Sequence, residues 1–525
     1  MKKILYTLAL TALAMSAVVQ ANIASNRTYI RVRDSLNHNS ILALSSNARG
    51  TDVKRNRLGG TLSIAPYYRS SHNAYGIAQN FGGGQEVNDN QWGKIVVEPG
   101  ESTSFQDEAY ALHSQLIDHT ATNHAANTQE STRGISGSVS FDPSRTETGA
   151  HLSWNQKVDF LIPGLSLSLD MPVVEIAHNL NPVFTGFAHS ADASGETGAT
   201  LAQYFNGKYF VKSTTARQEE LMFAKITRAE QSVTGVADIQ LAAQYPLFSN
   251  ETFRFNSAAT MVIPTHKKTT GQYLFAPRLG SGHVRLGAKA TLMAHLIKHE
   301  HNAYGLHGFS TFHYQYILKA EHTRTLGIYN HWYNVLATSG QYRNLGLVDG
   351  HTAIPAANVL TRKVVVKPGQ VIDSIMGLRF HYHDFSGSVA YNFHGHEAER
   401  VELSPEARWF DNEYGILARG SDISDPIEIG NNGFTYGGAL QQEGNTTSIA
   451  GAESNNAAQY YITTEACAGR SDITHKIAGT VEWHYKKLRF PLTVSAGGEY
   501  EFPHTTHSNG GIHSWALWSK LSVCF

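Results

Sequence analysis

The sequence predicts an all-β fold, an antiparallel sheet closed into a transmembrane barrel of about fourteen strands, with twelve as the alternative count. Three observations predict it. Segments of about ten residues alternate apolar with small or polar side chains, the period of a strand with unlike faces. The connections between these segments alternate short and long. After the first 21 residues no apolar run approaches the ~20 residues of a membrane helix. Yet only 16% of the 525 residues are charged, against ~25% in ordinary soluble domains. A chain that enters lipid without a spanning helix must pair its backbone groups in a closed sheet.

The elements follow in order. Residues 1–21 have Lys2 and Lys3, an apolar stretch over Ile4–Val19, and small residues at Val19 and Ala21. That is the pattern of an export signal cut between Ala21 and Asn22. Its removal leaves 40 basic residues against 43 acidic, from 42 and 43 in the whole chain. This balance argues against nucleic acid as a partner. The polar stretch 22–57 is expected to be a periplasmic tail or a plug inside the barrel. Residues 58–525 are expected to form the barrel.

Strand signals begin at LGGTLSIAPYY (Leu58–Tyr68) and WGKIVVE (Trp92–Glu98). GISGSVSF sets Ile135, Val139 and Phe141 against three serines, and LSLSLDM sets leucines against Ser166, Ser168 and Asp170. Further along, DIQLAAQY, FRFNSAATMVI, VRLGAKATLMAHL, IAGTVEWHY and FPLTVSAGGEY repeat the alternation. Residues 215–229 read as a short amphipathic helix before a strand. Short turns fall at Ile162–Gly164, Pro246–Thr252, Lys298–Tyr304, His383–Phe385 and Lys486–Leu488, and long loops at about 172–232, 264–282, 319–373, 395–473 and 501–512. Short periplasmic turns and long external loops are the barrel arrangement.

The closing strand HSWALWSKLSVCF places Trp515, Leu517, Leu521, Val523 and Phe525 on one face and Lys520 on the other. With the terminal strand running toward the periplasm, Phe525 sits at that rim. The apolar face is expected to meet outer-membrane lipid and to be read by the barrel-assembly machinery. Cys467 and Cys524 are the only cysteines. They are expected near opposite rims, ~25 Å apart along a strand and beyond disulfide reach.

By the same alternation Arg254, Arg285, Lys289, Glu482, Glu499 and Lys520 face the lumen. Opposed charges across a pore screen polar solutes by size and charge. Filling a closed interior is the other use of such residues. The 27 histidines cluster at His381 and His383, at His394 and His396, and at His295, His299 and His301 with His307. The register expected for the first hairpin sets His381 opposite Val389, so the first two pairs cannot share a metal. The third group surrounds a turn, where it could hold copper or zinc or simply line a wet rim. No G-x-S-x-G elbow or H-E-x-x-H helix occurs, and RLGSGHVRLG lacks the spacing of a phosphate loop. No catalytic residue, metal site or cofactor is nominated.

The signal segment, the alternating strands and the ending KLSVCF resemble the outer-membrane porin and transporter class. GVADIQLAAQY followed by RFNSAATMVIPT is similar to the middle of the long-chain fatty acid transporter family and its aromatic-compound-uptake relatives. That resemblance implies uptake of hydrophobic compounds. The family's asparagine–proline–alanine start is absent, since the chain reads NIASNRTY there, and no binding residue carries over. The sequence therefore points to a channel or transporter for passive uptake of small solutes, hydrophobic ones included. A non-conducting surface protein with cell-binding loops and a barrel-embedded hydrolase are the alternatives.

Overall fold

The structure is a computed structural model that describes residues 28–37, 59–72, 137–185, 220–266, 269–298, 304–328, 351–407, 460–486, 488–504 and 512–525. It also describes shorter stretches at 74–78, 81, 86–88, 91–98, 111–113, 201–208, 211–212, 216–218, 338–341, 414–416 and 438–441. The export signal, residues 38–57, His299, His301 and most of the 395–473 loop lie outside the described residues.

Twelve strands close the barrel. They are β1 (Gly60–Ser71), β2 (Ser144–Lys157), β3 (Ser166–Asn179) and β4 (Ile239–Ser249). Next come β5 (Phe253–Ile263), β6 (Arg285–Lys298), β7 (Tyr304–Ile317) and β8 (Val371–Tyr382). Last are β9 (Phe385–His396), β10 (Asp472–Tyr485), β11 (Leu492–Pro503) and β12 (Ser514–Cys524). Each pairs antiparallel with its sequence neighbours, and β12 returns to β1 with Ile64 opposite Leu521. Closure leaves no unpaired edge in lipid. A further strand, Gln231–Val236, pairs with the upper part of β3, while β4 pairs with its lower part. It is the upward continuation of β4 past a break at Ala237 and Asp238.

The lower of the two expected counts is thus the barrel's own. The segments Gln91–Glu98 and Gly137–Phe141 are strands, but they pair in a separate sheet on the loop side. There Val139 and Phe141 join a core with Ile77, Tyr204, Phe205 and Phe275. A buried sheet alternates with the same period as a lipid-facing one, so sequence alternation could not separate them.

The helix expected over 215–229 does not form. Ala216–Gln218 is a short strand, and Ala224 has φ +52°, outside the helical region. Its amide donates to Gly271 O, the Lys225 amide to Gln272 O and the Ile226 amide to Phe205 O. Tertiary partners replace the i→i−4 ladder. Leu221, Ala224 and Ile226 are buried among neighbouring loops, and this accounts for the apolar spacing.

Short turns and both ends of the barrel share one rim, where Gly60 and Phe525 exchange backbone hydrogen bonds. Long connections share the other. The outward face bears apolar residues such as Ile64, Leu286, Leu378, Val389, Val481 and Leu517 across its middle. Phe248, Tyr382, Phe385, Trp483, Phe490 and Phe525 ring the turn side, and Tyr68, Tyr316, Tyr391, Tyr500 and Trp515 the loop side. From Trp515 to Phe525 is ten residues of tilted strand, about 25 Å of height. That is the height of the apolar band of an outer-membrane barrel. No helix among the described residues is long and apolar enough to span a membrane.

Candidate functional site: a charged lumen with the N-terminal segment inside

Inward side chains are set by strand parity. On β10, Thr474, Lys476, Thr480, Glu482 and His484 are buried while Ile477 and Val481 face out. The same parity puts Arg285, Glu482, Glu499 and Lys520 inside and buried. It sets Arg254 and Lys289 inward and half-buried. The structure does not gather these six. Arg285 and Glu499 lie in the loop-side half. Glu482 and Lys520 lie in the turn-side half with Asp170, Lys289 lies between the two halves on β6, and Arg254 lies near the turn rim.

The loop-side half is organised by residues that strand alternation did not nominate. The segment Thr28–Asn37, which ends in a 3₁₀ turn at Ser35–Asn37, lies inside the barrel. Ile30 and Val32 pack on the loop-side core, while Arg31 and Arg33 alternate with them. The Arg33 guanidinium donates to Asp373 Oδ2 (2.8 Å), Glu501 Oε1 (2.9 Å) and Asn392 Oδ1 (2.8 Å). Asn392 donates in turn to Asp373 Oδ1 at 2.8 Å. Lys476 Nζ lies 3.0 Å from Glu499 and 3.8 Å from Glu501, and Arg69 pairs with Glu499 too. One residue on, Asp34 takes Arg285, which also holds Asp238 at 3.1 Å. Arg285 is 1% exposed. Guanidiniums are the cations suited to such buried forks, since each presents five donors in a fixed plane. The segment's sequence signal was the alternation Ile30, Arg31, Val32, Arg33.

Above the segment, a three-stranded sheet of Ala320–Thr325, Thr361–Lys367 and Arg400–Leu403 closes the loop side. Arg324 donates to Glu399 (2.5 Å) and to Cys467 O (2.6 Å), and its guanidinium lies 3.6 Å from the Tyr29 ring centroid. Burial raises the Glu399 carboxyl, but Arg324 and Arg31 outweigh it and hold the group well below the usual carboxylate range. Cys467 is buried here, where its thiol donates to Thr464 O at 3.2 Å, and Cys524 lies at the turn rim, so no disulfide joins them. Between the segment and the loops lies a cavity walled by Tyr29, Ile176, Leu274 and Phe275, with Arg145 and Arg278 at its polar side. The His178 ring stacks on Phe275 with centroids 4.1 Å apart.

The same closure holds a histidine pair. His322 Nε2 is 3.0 Å from His283 Nε2, and His283 Nδ1 donates to Leu318 O at 2.9 Å. Burial pulls His283 down to about 4. Burial, then His283 and Arg324, pulls His322 down to about 2, while Glu399 opposes this for both rings. Folding therefore keeps both neutral, while an undocked loop takes protons near 6.5. By linkage the closure weakens as pH falls below 6.5, and the loss levels off near the folded values. Loop cleavage by added protease is expected to accelerate from about pH 7 to about pH 4.5, with His322→Gln flattening the dependence. An equally steep profile in the variant would remove the pair as its cause.

The other histidines divide. His381 pairs with Ser386 rather than Val389, because the β8–β9 turn is only His383 and Asp384, with His383 at φ +50°. His394 pairs with Asp373 at the opposite end of that hairpin. His295, His307 and His381 meet near the turn rim, with His307 Nε2 2.9 Å from His381 Nδ1. Among the described residues no three ligating groups converge as a metal centre. Ser386 Oγ lies 3.0 Å from His484 Nε2, but also donates to Glu482 Oε2 at 2.8 Å. An ionised carboxylate competes for that hydroxyl proton.

No family model matches the chain, and no curated relative matches it. Among solved structures, the transport unit of the autotransporter AIDA-I from Escherichia coli is 8% identical with a TM-score of 0.29, covering 94% of this chain and 99% of that one. A TodX monoaromatic hydrocarbon channel variant is 8% identical with a TM-score of 0.31, covering 91% and 94%. A Pseudomonas aeruginosa FadL homologue is 8% identical with a TM-score of 0.25, covering 89% of each. Likeness this slight says nothing of what the chain carries or binds. The closed ring, its apolar belt and its charged interior place the chain among the β-barrels of the outer membrane.

Proposed function

We propose that the protein is a channel for passive uptake of small solutes, closed at rest by its own N-terminal segment. The observation that carries this reading is the double tether, Arg33 on Asp373 and Glu501 and Asp34 on Arg285. These pairs fix a non-barrel segment across a polar lumen by contacts that can be exchanged for water. The cavity beside the segment suits solutes with an apolar body and a polar end. It joins aromatic and aliphatic walls to the guanidiniums of Arg33, Arg145, Arg278 and Arg324, with Asp34 beside them, and apolar walls with a few polar groups are the usual make-up of a small-molecule pocket. Twelve strands give a bore between the side-chain-filled eight-stranded case and open porins. The proposal includes no cofactor and no catalytic step. Its partners are outer-membrane lipid around the belt, the barrel-assembly machinery at β12, and the solute.

A second reading, a non-conducting surface protein, is favoured by the loop-side sheets with their own apolar core. Planar-bilayer recording with a solute-size series separates the two. The channel is expected to show discrete openings that larger solutes block. A silent bilayer, both for the whole chain and after the Arg33 tether is removed, would overturn the channel and favour the surface role.

A further inference from the structure

The outward face at the loop-side rim changes character over five adjacent strands, β9 to β1. His475 on β10, His504 just past β11, His513 just before β12 and His72 just past β1 all turn outward. Their neighbours Lys476, Glu501 and Ser514 turn in. Tyr391 Oη lies 2.6 Å from His475 Nδ1, and His475 Nε2 lies 2.9 Å from His504 Nδ1. Tyr500 Oη lies 3.1 Å from His72 Nε2 and 3.4 Å from His513 Nδ1. The Phe502 ring joins the two groups, 5.5 Å from His475 and 6.1 Å from Tyr500.

Position names what covers this patch. Trp515 and Tyr68 on the same strands mark the membrane interface, and the imidazoles lie one step further from the apolar band. The layer there is lipid headgroup. With Tyr391 donating to His475 Nδ1, the chain of hydrogen bonds runs through His475 Nε2–H and leaves a donor at His504 Nε2 (tautomers assigned from the network). The charged group facing His475 is His504, and the one facing His513 is His72. A second proton on either pair is therefore repelled by the first. An anion with several acceptor oxygens relieves that repulsion, and a phosphate monoester between imidazolium and phenol donors does so.

We propose that this histidine–tyrosine patch grips a phosphate-bearing headgroup of the outer leaflet, and that the grip tightens on acidification. The proposal stands apart from the channel reading, because it concerns the lipid-facing surface alone.

The test uses the whole purified chain, free of any added histidine tag, in neutral micelles. Its thermal unfolding is followed with a bis-phosphorylated glycolipid, the same lipid dephosphorylated, or inorganic phosphate. Phosphorylated lipid is expected to bind about tenfold tighter at pH 5.5 than at pH 7.5, an average uptake of about half a proton on binding. His475→Asn combined with His513→Asn should abolish that difference, and Tyr500→Phe should reduce it. Resistance of the unheated barrel to detergent shows that each variant folds. Equal stabilisation by the dephosphorylated lipid or by inorganic phosphate would overturn the proposal. So would binding that ignores pH, or a pH effect that survives in the folded double variant.

Discussion

Arg33→Ala is expected to convert a mostly closed barrel into one that conducts, with the open fraction rising about 100-fold. The reason is what the change leaves behind. Asp373 and Glu501 are almost fully buried, and Arg33 reaches both with one planar fork. Removing one partner of a buried pair costs about 3–5 kcal/mol, since the stranded charge has neither water nor counter-ion. Here His394 stays 3.2 Å from Asp373 and Lys476 stays 3.8 Å from Glu501, so the low end of that range applies. About 3 kcal/mol corresponds to about two powers of ten in the docked-to-undocked ratio. Arg33→Lys keeps the charge but not the fork and should fall between. Arg31→Ala removes hydrogen bonds to the carbonyls of Glu397 and Arg470 and a charge near Glu399 that Arg324 still pairs, and should move conductance less. Single-channel recording reads all three. Indistinguishable open fractions for Arg33→Ala and the unaltered chain would show that the segment is not the barrier.

The barrel was legible in the sequence because lipid and lumen impose opposite chemistry on alternate residues. DITHKIAGTVEWHY shows it directly, with Ile477 and Val481 against Lys476 and Glu482. Turn lengths gave strand direction, since one rim carries connections of two to eight residues and the other the long loops. The closure beyond the barrel was not legible. Gly137–Phe141 alternates as a barrel strand does, yet both of its apolar side chains go into a loop-side core. Over 215–229 the spacing of Leu221, Ala224 and Ile226 imitated a helix while their backbone partners lay on other loops. The tethers were least legible of all. Arg33 and Glu501 are separated by 468 positions, and nothing local to either marks the other. Alternation names which charges face inward, but strand register and closure decide which of them meet. Glu482 and Glu499 were equally visible as lumen charges and ended in different halves of the pore.

Val481→Arg is expected to cost about 2–4 kcal/mol, the penalty of a cation on the lipid face near mid-membrane. Val481 is 66% exposed. In water that exposure would make the change nearly neutral, within about 0.5 kcal/mol. The same substitution therefore reads the solvent around β10. A depth series sharpens it. Ile477→Arg should cost as much as Val481→Arg, since both face out toward the middle of β10. Tyr485→Arg, beside Trp483 in the turn-side belt, should cost about 0–1 kcal/mol, because an arginine there reaches the headgroups. Refolding into lipid vesicles, with urea titration of the folded fraction, measures each value. A flat profile along β10 would mean that this face meets water, and neither a lipid belt nor a pore across a membrane would survive it. A peak toward mid-strand fixes the membrane's position on the protein, with the Arg33 tether on the loop side of the midplane.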